Sequence, residues 1–387
     1  MKEGIFLAGA VRTPIGRFGG ALAPLPAVEL GVAAAAAAMN RAGIAPDAVD
    51  EVVFGHARQA GCGPNPGRQV GVKAGIPVGS PAKTINQACL SGFQAILDAA
   101  RAIRGGEAQI VLAGGMESMS RVPYLLPVPE SRWGMRMGHR EVVDGMYRDG
   151  FLDPICGKVM GETAETLATQ YAIPREEQDA YAAQTQQRCE AARREGRFAE
   201  EIVALDKLAA DEHPRDGVTA AALAKLPAVF SRDGTVTAGN SSGITDGAAA
   251  MIVLSESAVG RLGVKPLARL VDWTVVGVEP AVMGIGPVPA VRRLSERTGV
   301  PLASVDLVEL NEAFAAQVLA VDRELRFDRE RLNVNGGSIA LGHPIGCSGA
   351  RIVVTLLHEM RRRGVRRGLA TLCVSGGLGG ALLVEAA

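Results

Sequence analysis

The strongest constraint on what this chain can fold into is a repeat. Val28 to Ala42 carries helical apolar spacing and closes at Gly43, and Val49-Asp50-Glu51-Val52-Val53-Phe54-Gly55-His56 follows as a strand. Far downstream, Ala290 to Thr298 closes at Gly299, and Val305-Asp306-Leu307-Val308-Glu309-Leu310-Asn311-Glu312 follows, so that Gly43 to Asp50 and Gly299 to Asp306 are equally spaced. Moving both windows forward brings Cys89-Leu90-Ser91-Gly92 over Gly346-Cys347-Ser348-Gly349 to within a few residues. An apolar helix follows each, Phe93 to Arg104 and Ala350 to Arg363. Then come a glycine and an apolar strand with a glycine turn, Ile110 to Gly115 and Leu369 to Gly377. Self-similarity at so long an offset implies two similar α/β halves, since a solenoid needs short periods repeated several times. Matched turns at the ends of matched strands would converge across a pseudo-twofold axis, placing residues from both halves on one face.

Ahead of the first window, Ile5 to Ala8 reads as a buried strand and Arg12-Thr13-Pro14-Ile15-Gly16 as a turn. Between the repeats the composition changes. Ser118 to about Ser242 carries Pro123, Pro127, Pro129, Met135 and Met137, a helical stretch from Glu162 to Tyr171 and a charged helix from Arg175 to Glu195. This reads as a long insertion or lid within the first half. Its end, Ala238-Gly239-Asn240-Ser241-Ser242-Gly243, leads to a strand from Ala250 to Leu254; on composition alone it reads as a linker.

At 387 residues the chain exceeds one ordinary core, so two or more domains are expected. Lys plus Arg equal Asp plus Glu at 41 each, which supplies no overall field for nucleic acid or for an anionic membrane. The six cysteines form no C-x-x-C pair and the N-terminus lacks the apolar core of a secretory signal, so a reduced, cytoplasmic setting is expected. Leu30 to Met39 is too short to span a bilayer and reads as a packed helix, so no membrane insertion is expected.

The extended run Ala82 to Ile85 leads into Cys89, and Phe93, Ile96, Leu97, Ala100 and Ile103 then recur at helical spacing, placing the thiol at a strand-to-helix turn. Unpaired N–H groups and the macrodipole at a helix start favour a thiolate, and a nearby imidazole could act as its base. One candidate is His343, set between Gly336-Gly337 and the Gly346-Cys347-Ser348-Gly349 turn. A buried inert cysteine is the commoner case, so the pair alone leaves both readings open. Zinc ligation by Cys89, Cys373 and His343 is disfavoured by the lack of closely spaced ligand pairs.

Taken in order, Arg12-Thr13-Pro14-Ile15-Gly16, Asn86-Gln87-Ala88-Cys89-Leu90-Ser91-Gly92, Thr237-Ala238-Gly239-Asn240-Ser241-Ser242-Gly243, Asn311-Glu312-Ala313-Phe314-Ala315, Asn335-Gly336-Gly337-Ser338-Ile339-Ala340-Leu341-Gly342-His343-Pro344-Ile345-Gly346 and the glycine-rich turn at Cys373 resemble the thiolase family over essentially the whole chain. The resemblance implies an α/β fold of two duplicated βαβαβαββ domains in five layers (αβαβα) with an inserted loop domain. Its parts would be residues 1–117 with 246–265, the loop domain 118–245, and residues 266–387. It implies a homodimer or homotetramer acting on acyl-CoA, with coenzyme A as substrate, no permanently bound cofactor or metal, and no nucleic-acid partner.

By the same resemblance Cys89 is the nucleophile that takes the acyl group, His343 its base, and Cys373 the group that moves the α-proton of acetyl-CoA. One oxyanion hole would use the backbone N–H groups of Cys89 and Ser375, the other His343 and a water held by Asn311. Ser242 and Gly243 would lie along the pantetheine, Met160, Phe230, Met283, Ala313 and Phe314 would form apolar walls, and Arg215 would meet the adenine end. Cysteine suits the first role because a thiolate and a thioester exchange readily. It suits the second because a thiol near 8.5, modestly lowered, passes a proton in either direction.

Three positions depart from the pattern. Val159, ahead of Met160, stands where short-chain biosynthetic members carry histidine, which leans toward a broader 3-ketoacyl-CoA range. Ser375 replaces a usual glycine and is tolerable if its φ is negative. Cys347, close to His343, is read as structural. A decarboxylating ketoacyl synthase of the same fold would use one cysteine with two histidines, and Cys373 argues against it. A non-catalytic acyl-CoA-binding protein would need none of Cys89, His343, Asn311 and Cys373.

Overall fold

A computed structural model describes residues 3–126 and 130–387; Pro127 and Pro129 lie outside the described residues. In the first half β1 (Ile5–Arg12), α1 (Ala27–Ala42), β2 (Glu51–Gly55), α2 (Pro66–Lys73), β3 (Ala82–Ile85), α3 (Ser91–Arg104), β4 (Ile110–Ser118) and β5 (Thr245–Ser255) follow in order. Between β4 and β5 lie α4 (Met160–Gln170) and α5 (Arg175–Arg194). The second half runs β6 (Ala268–Gly277), α6 (Pro287–Thr298), β7 (Leu307–Leu310), α7 (Ala315–Leu325), α8 (Ile345–Arg363), β8 (Arg367–Val374) and β9 (Leu378–Ala386).

The repeat seen in the sequence is a repeat of topology. Strands β3-β2-β4-β5-β1 lie side by side in that order, and so do β7-β8-β9-β6, with Leu332 bridging the free edge of β7 in parallel as β3 flanks β2. The senses match too: β2/β4 and β7/β8 are parallel, while β4/β5, β5/β1, β8/β9 and β9/β6 are antiparallel. A short antiparallel contact, Phe6 with Arg269 and Leu7 with Ala268, joins the two half-sheets.

Five layers result. One apolar core packs α3 and α8, through Phe93, Ile96, Val353 and Leu356, against Val53, Val111 and Met251 of one half-sheet and Leu372 and Leu382 of the other. Outside them, α1 covers the first half-sheet through Leu30, Ala34 and Ala38, and α6 and α7 cover the second through Val291, Leu294 and Val318. The two central helices approach closely because glycine faces glycine. A Cβ on Gly92 would strike the Gly346 carbonyl, and one on Gly349 would strike Phe93. For the same reason α8 starts at Ile345, ahead of the predicted Ala350: its glycine-rich first turns are held by packing that outweighs their poor helix propensity.

Two other expectations are corrected. The predicted turn at Arg12 is still strand, and Arg12 is fully buried, its Nε donating to Glu201 at 2.6 Å and its two terminal nitrogens to Asp211 at 2.6 and 2.9 Å. The loop read as a linker is pinned. Asn240 is buried, its Oδ1 accepts from Thr237 N–H and its Nδ2 donates to Asp179, while its carbonyl accepts from Ala315 N–H. No helix among the described residues is long and apolar enough to cross a membrane.

Candidate active site

Cys89 sits in a single 3-10 turn, Ala88–Leu90, between β3 and α3. Ala88 takes φ 46°, a left-handed conformation that costs an L-residue about 1–2 kcal/mol. Local hydrogen bonds hold it there. Asn86 Oδ1 accepts from Ala88 N–H, and Ser91 Oγ donates to the Ala88 carbonyl at 2.6 Å while accepting from Gln87 N–H at 2.9 Å. The turn packs against α8, just after His343, and against β8, which carries Cys373.

The main-chain N–H of Ser375 points at the half-buried Cys89 thiol, and Cys373 lies close enough for the two sulfurs to feel each other's charge. Burial pushes the Cys89 thiol up; the Ser375 N–H, Arg58 and its own N–H oppose that rise without cancelling it. The expectation that a helix start would lower this thiol is therefore corrected, because desolvation outweighs the local dipoles. Cys373 is also pushed up, by burial and then by Cys89, so it is held protonated rather than poised near neutrality as expected. Ser375 is absent from the residues with positive φ, and Gly376 (84°) and Gly377 (81°) take the left-handed turn instead. Asp153, a buried residue of the insertion, accepts from Gly376 N–H at 2.8 Å and fixes that turn.

His343 is buried, its own N–H donating to the Gly243 carbonyl at 2.9 Å. Its Nδ1 lies 2.6 Å from Ser348 Oγ, while its Nε2 is buried with no hydrogen-bond partner among the described residues. Burial first, then Arg351 and Arg58, lowers the imidazole from 6.5 to about 3, so it is neutral at physiological pH. Asn311 repeats the pattern. Its Oδ1 accepts from Ser338 Oγ at 2.7 Å, Ser338 Oγ accepts from Arg351 at 2.9 Å, and Asn311 Nδ2 is left buried and unpartnered among the described residues.

Two apolar clusters flank the cysteines. Cys373 packs with Met283, Ala313 and Phe314, with Met160 and Phe230 against them; Phe230 and Phe314 meet edge to face at 6.2 Å. Cys89 packs against a second cluster of Ala57, Met119, Met146 and Ile345, which Phe151 also joins. Ser242 N–H donates to the Ala313 carbonyl, tying the Ser242-Gly243 segment to this wall. Arg215 is exposed and outside both clusters, with only its main-chain N–H held, by Gln186. Cys347 lies in the central core with its thiol pushed up to about 12, chiefly by burial, as its structural reading expects.

Sequence reasoning missed Ser348, Ser338, Arg351, Asp153 and Glu117. Arg351 left one signal, a charge inside the apolar helix that follows His343. Glu117 accepts from the N–H groups of Ala57, Arg58 and Gly346, knotting both halves beside the site. Among the described residues no His, Cys, Asp and Glu group is arranged to hold a metal ion.

Two family models cover the chain: thiolase N-terminal domain over residues 5–257 and thiolase C-terminal domain over residues 264–386. The chain belongs to the thiolase family. It is an acyltransferase of that family, similar to the acetyl-CoA acetyltransferase of Chromobacterium violaceum (51% identical, 98% of this chain and 99% of the relative) and that of Allochromatium vinosum (49%, all of both). Among solved thiolase-family structures, the Bacillus anthracis acetyl-CoA acetyltransferase aligns at TM-score 0.96 with 46% identity, over 100% of this chain and 99% of that one. The human mitochondrial 3-ketoacyl-CoA thiolase in complex with CoA aligns at 0.96 with 43% identity, over 100% and 98%.

Proposed function

We propose that this thiolase transfers acetyl groups reversibly to and from coenzyme A through a Cys89 acyl-enzyme, condensing acetyl-CoA or cleaving 3-ketoacyl-CoA. The observation that carries the assignment is a Ser375 N–H aimed at the Cys89 sulfur with Cys373 beside it; His343 Nε2 and Asn311 Nδ2, both buried and unpartnered among the described residues, support it. Buried polar groups without partners are uncommon; here Asn311 Nδ2 fits a donor to a thioester oxygen or to the water beside it, and His343 Nε2 a base that becomes such a donor once protonated.

In thiolysis His343 Nε2 takes the Cys89 proton and the thiolate attacks the 3-keto carbon, whose oxyanion is met by the N–H groups of Cys89 and Ser375. The C2–C3 bond breaks, its electron pair goes to the enolate of acetyl-CoA at the His343 and Asn311 hole, and Cys373 gives that enolate its proton. The Cys373 thiolate then takes the proton of the incoming coenzyme A thiol, the resulting thiolate attacks the acyl-enzyme, and Cys89 leaves and regains its proton from His343. Condensation runs the same steps backward. A Cys373 held protonated suits the cleavage direction from the resting enzyme.

For the coenzyme, Met160, Phe230, Met283, Ala313 and Phe314 suit the wall along pantetheine, with Ser242 and Gly243 at its polar side and Arg215 at the open end. Val159 in place of a histidine favours a broad 3-ketoacyl range. The order of elements supports a division into residues 1–117 with 246–265, a loop domain 118–245, and residues 266–387. A homo-oligomer in the cytoplasm fits the family and cysteines that form no disulfide with one another. Incubation with acetyl-CoA should add one acetyl mass to the peptide containing Cys89, and Cys89→Ala should abolish it; label on Cys347 instead would overturn the assignment.

A further inference from the structure

Arg58 is the charged group beside the site that the steps above leave unused. It follows β2 and is 8% exposed. Its main chain is anchored, the N–H donating to Glu117 at 3.2 Å. Its side chain is not. Among the described residues its Nε is buried without a hydrogen-bond partner. Burying that Nε without an acceptor carries a desolvation cost that an anion or another acceptor would offset.

The surroundings say which anion. The guanidinium lies against Gly150, where a Cβ would run into Nε, one terminal nitrogen and the guanidinium carbon. Gly150 stands between Met146 and Phe151, which pack with Ala57 and Cys89 in one apolar cluster. That cluster is distinct from the Met283, Ala313 and Phe314 wall at Cys373, so a coenzyme arm on the latter would leave the former to an acyl chain carried by Cys89. Arg58 is near enough for its charge to be felt at both Cys89 and His343. It also lines a cavity of about 280 Å³ with His56, Lys73 and Arg121, whose acidic lining residue is Glu29. That cavity gives room beside the guanidinium, and cationic side chains outnumber acidic ones in its lining.

We propose that Arg58 is a specificity-determining residue that binds a carboxylate at the far end of the acyl chain, making 3-oxodicarboxylic thioesters of coenzyme A a preferred substrate class. The inference rests on the thiolase reading above. Chemically nothing new is required. Cys89 attacks the 3-keto carbon, the C2–C3 electron pair leaves on acetyl-CoA and is protonated by Cys373, and coenzyme A thiolate releases a dicarboxylic mono-thioester two carbons shorter. The distal carboxylate stays ionised throughout, held by the guanidinium.

The test compares thiolysis of 3-oxoadipyl-CoA with that of 3-oxohexanoyl-CoA, equal in chain length and differing in carboxylate against methyl. In the full-length enzyme the kcat/KM ratio should favour the dicarboxylic thioester by at least about tenfold. In Arg58→Leu and Arg58→Gln the ratio should fall at least about tenfold, with Arg58→Lys between, because a point charge replaces the fork. A ratio near one in the parent enzyme, or one that Arg58→Leu and Arg58→Gln leave unchanged while both substrates slow together, overturns the proposal and assigns Arg58 to the cysteine's electrostatics. Failure to cleave either thioester would instead overturn the thiolase reading.

Discussion

His343 Nδ1 lies 2.6 Å from Ser348 Oγ, and that hydroxyl also lies 3.1 Å from the Pro344 carbonyl. A serine has one proton to donate. Given to Pro344, it leaves Oγ as acceptor for Nδ1–H, and the buried Nε2 then keeps its lone pair free to act as a base. Ser348→Ala should lose a hydrogen bond worth about 1.5–3 kcal/mol to an imidazole that becomes charged in the reaction. The expected result is a fall in kcat of roughly tenfold to a hundredfold with little change in KM. Steady-state thiolysis reads both, and a change confined to KM would show that Ser348 serves binding instead.

Cys373 and Cys89 should separate cleanly. With Cys373→Ala, acetylation of Cys89 by acetyl-CoA persists, since that exchange moves no carbon-bound proton, whereas condensation and thiolysis collapse by several orders of magnitude. Mass spectrometry of the acyl-enzyme, set beside turnover, distinguishes the two. Equal loss of both steps would deny Cys373 a separate role.

Asn311 is oriented from behind. Arg351 donates to Ser338 Oγ, which obliges the Ser338 proton to point at Asn311 Oδ1 and turns Nδ2 the other way. Ser338→Ala frees the amide to flip, so kcat should drop about tenfold, the equivalent of one net hydrogen bond. Ser338→Thr keeps the hydroxyl and should recover most of it. An unimpaired Ser338→Ala enzyme would mean the amide is fixed by other contacts.

How much of this was legible in the sequence follows from what each feature depends on. The repeat, Gly43, Gly299 and the two central helices were readable because apolar period and glycine punctuation are local. Strand β4 was cut short at Gly114-Gly115, although it runs to Ser118, because nine cross-strand pairings with β5 override two poor strand formers. The cysteines and His343 stood out as chemistry-bearing types in glycine-rich turns. Ser348, Ser338 and Asp153 did not, because a serine or aspartate is informative only once its partner across the fold is known. The misjudged protonation of Cys89 and Cys373 has the same root: the helix start is visible in sequence, and the burial that outweighs it is not.

Acid should weaken the fold partly through His343. In the unfolded chain this imidazole takes up its proton near 6.5, and in the folded protein only near about 3, because burial and then Arg351 and Arg58 oppose the charge. Its stabilising contribution is therefore complete above 6.5 and is lost as pH falls from there toward about 3. The Tm of His343→Asn should decline less steeply than that of the parent enzyme across this window. Parallel curves would show that the imidazole charges as easily folded as unfolded.

Arg12 binds the insertion to the first half-sheet. Its guanidinium spans Glu201 and Asp211, all three buried, and Phe198 lies under it at 5.2 Å. Removing one member of such a set leaves charge without a partner and costs about 3–5 kcal/mol, more than the set itself contributes over an apolar replacement. Arg12→Met strands two carboxylates and should lower Tm by roughly 6–20 °C, taking about 2–4 °C per kcal/mol. Asp211→Asn leaves Arg12 with Glu201 and should cost less. The triple replacement Arg12→Met, Glu201→Gln, Asp211→Asn should regain part of the loss, because no charge is then stranded. Thermal melts of the three proteins decide it: if the triple variant is less stable than Arg12→Met, the ionic set holds the insertion in place through more than its own charge balance.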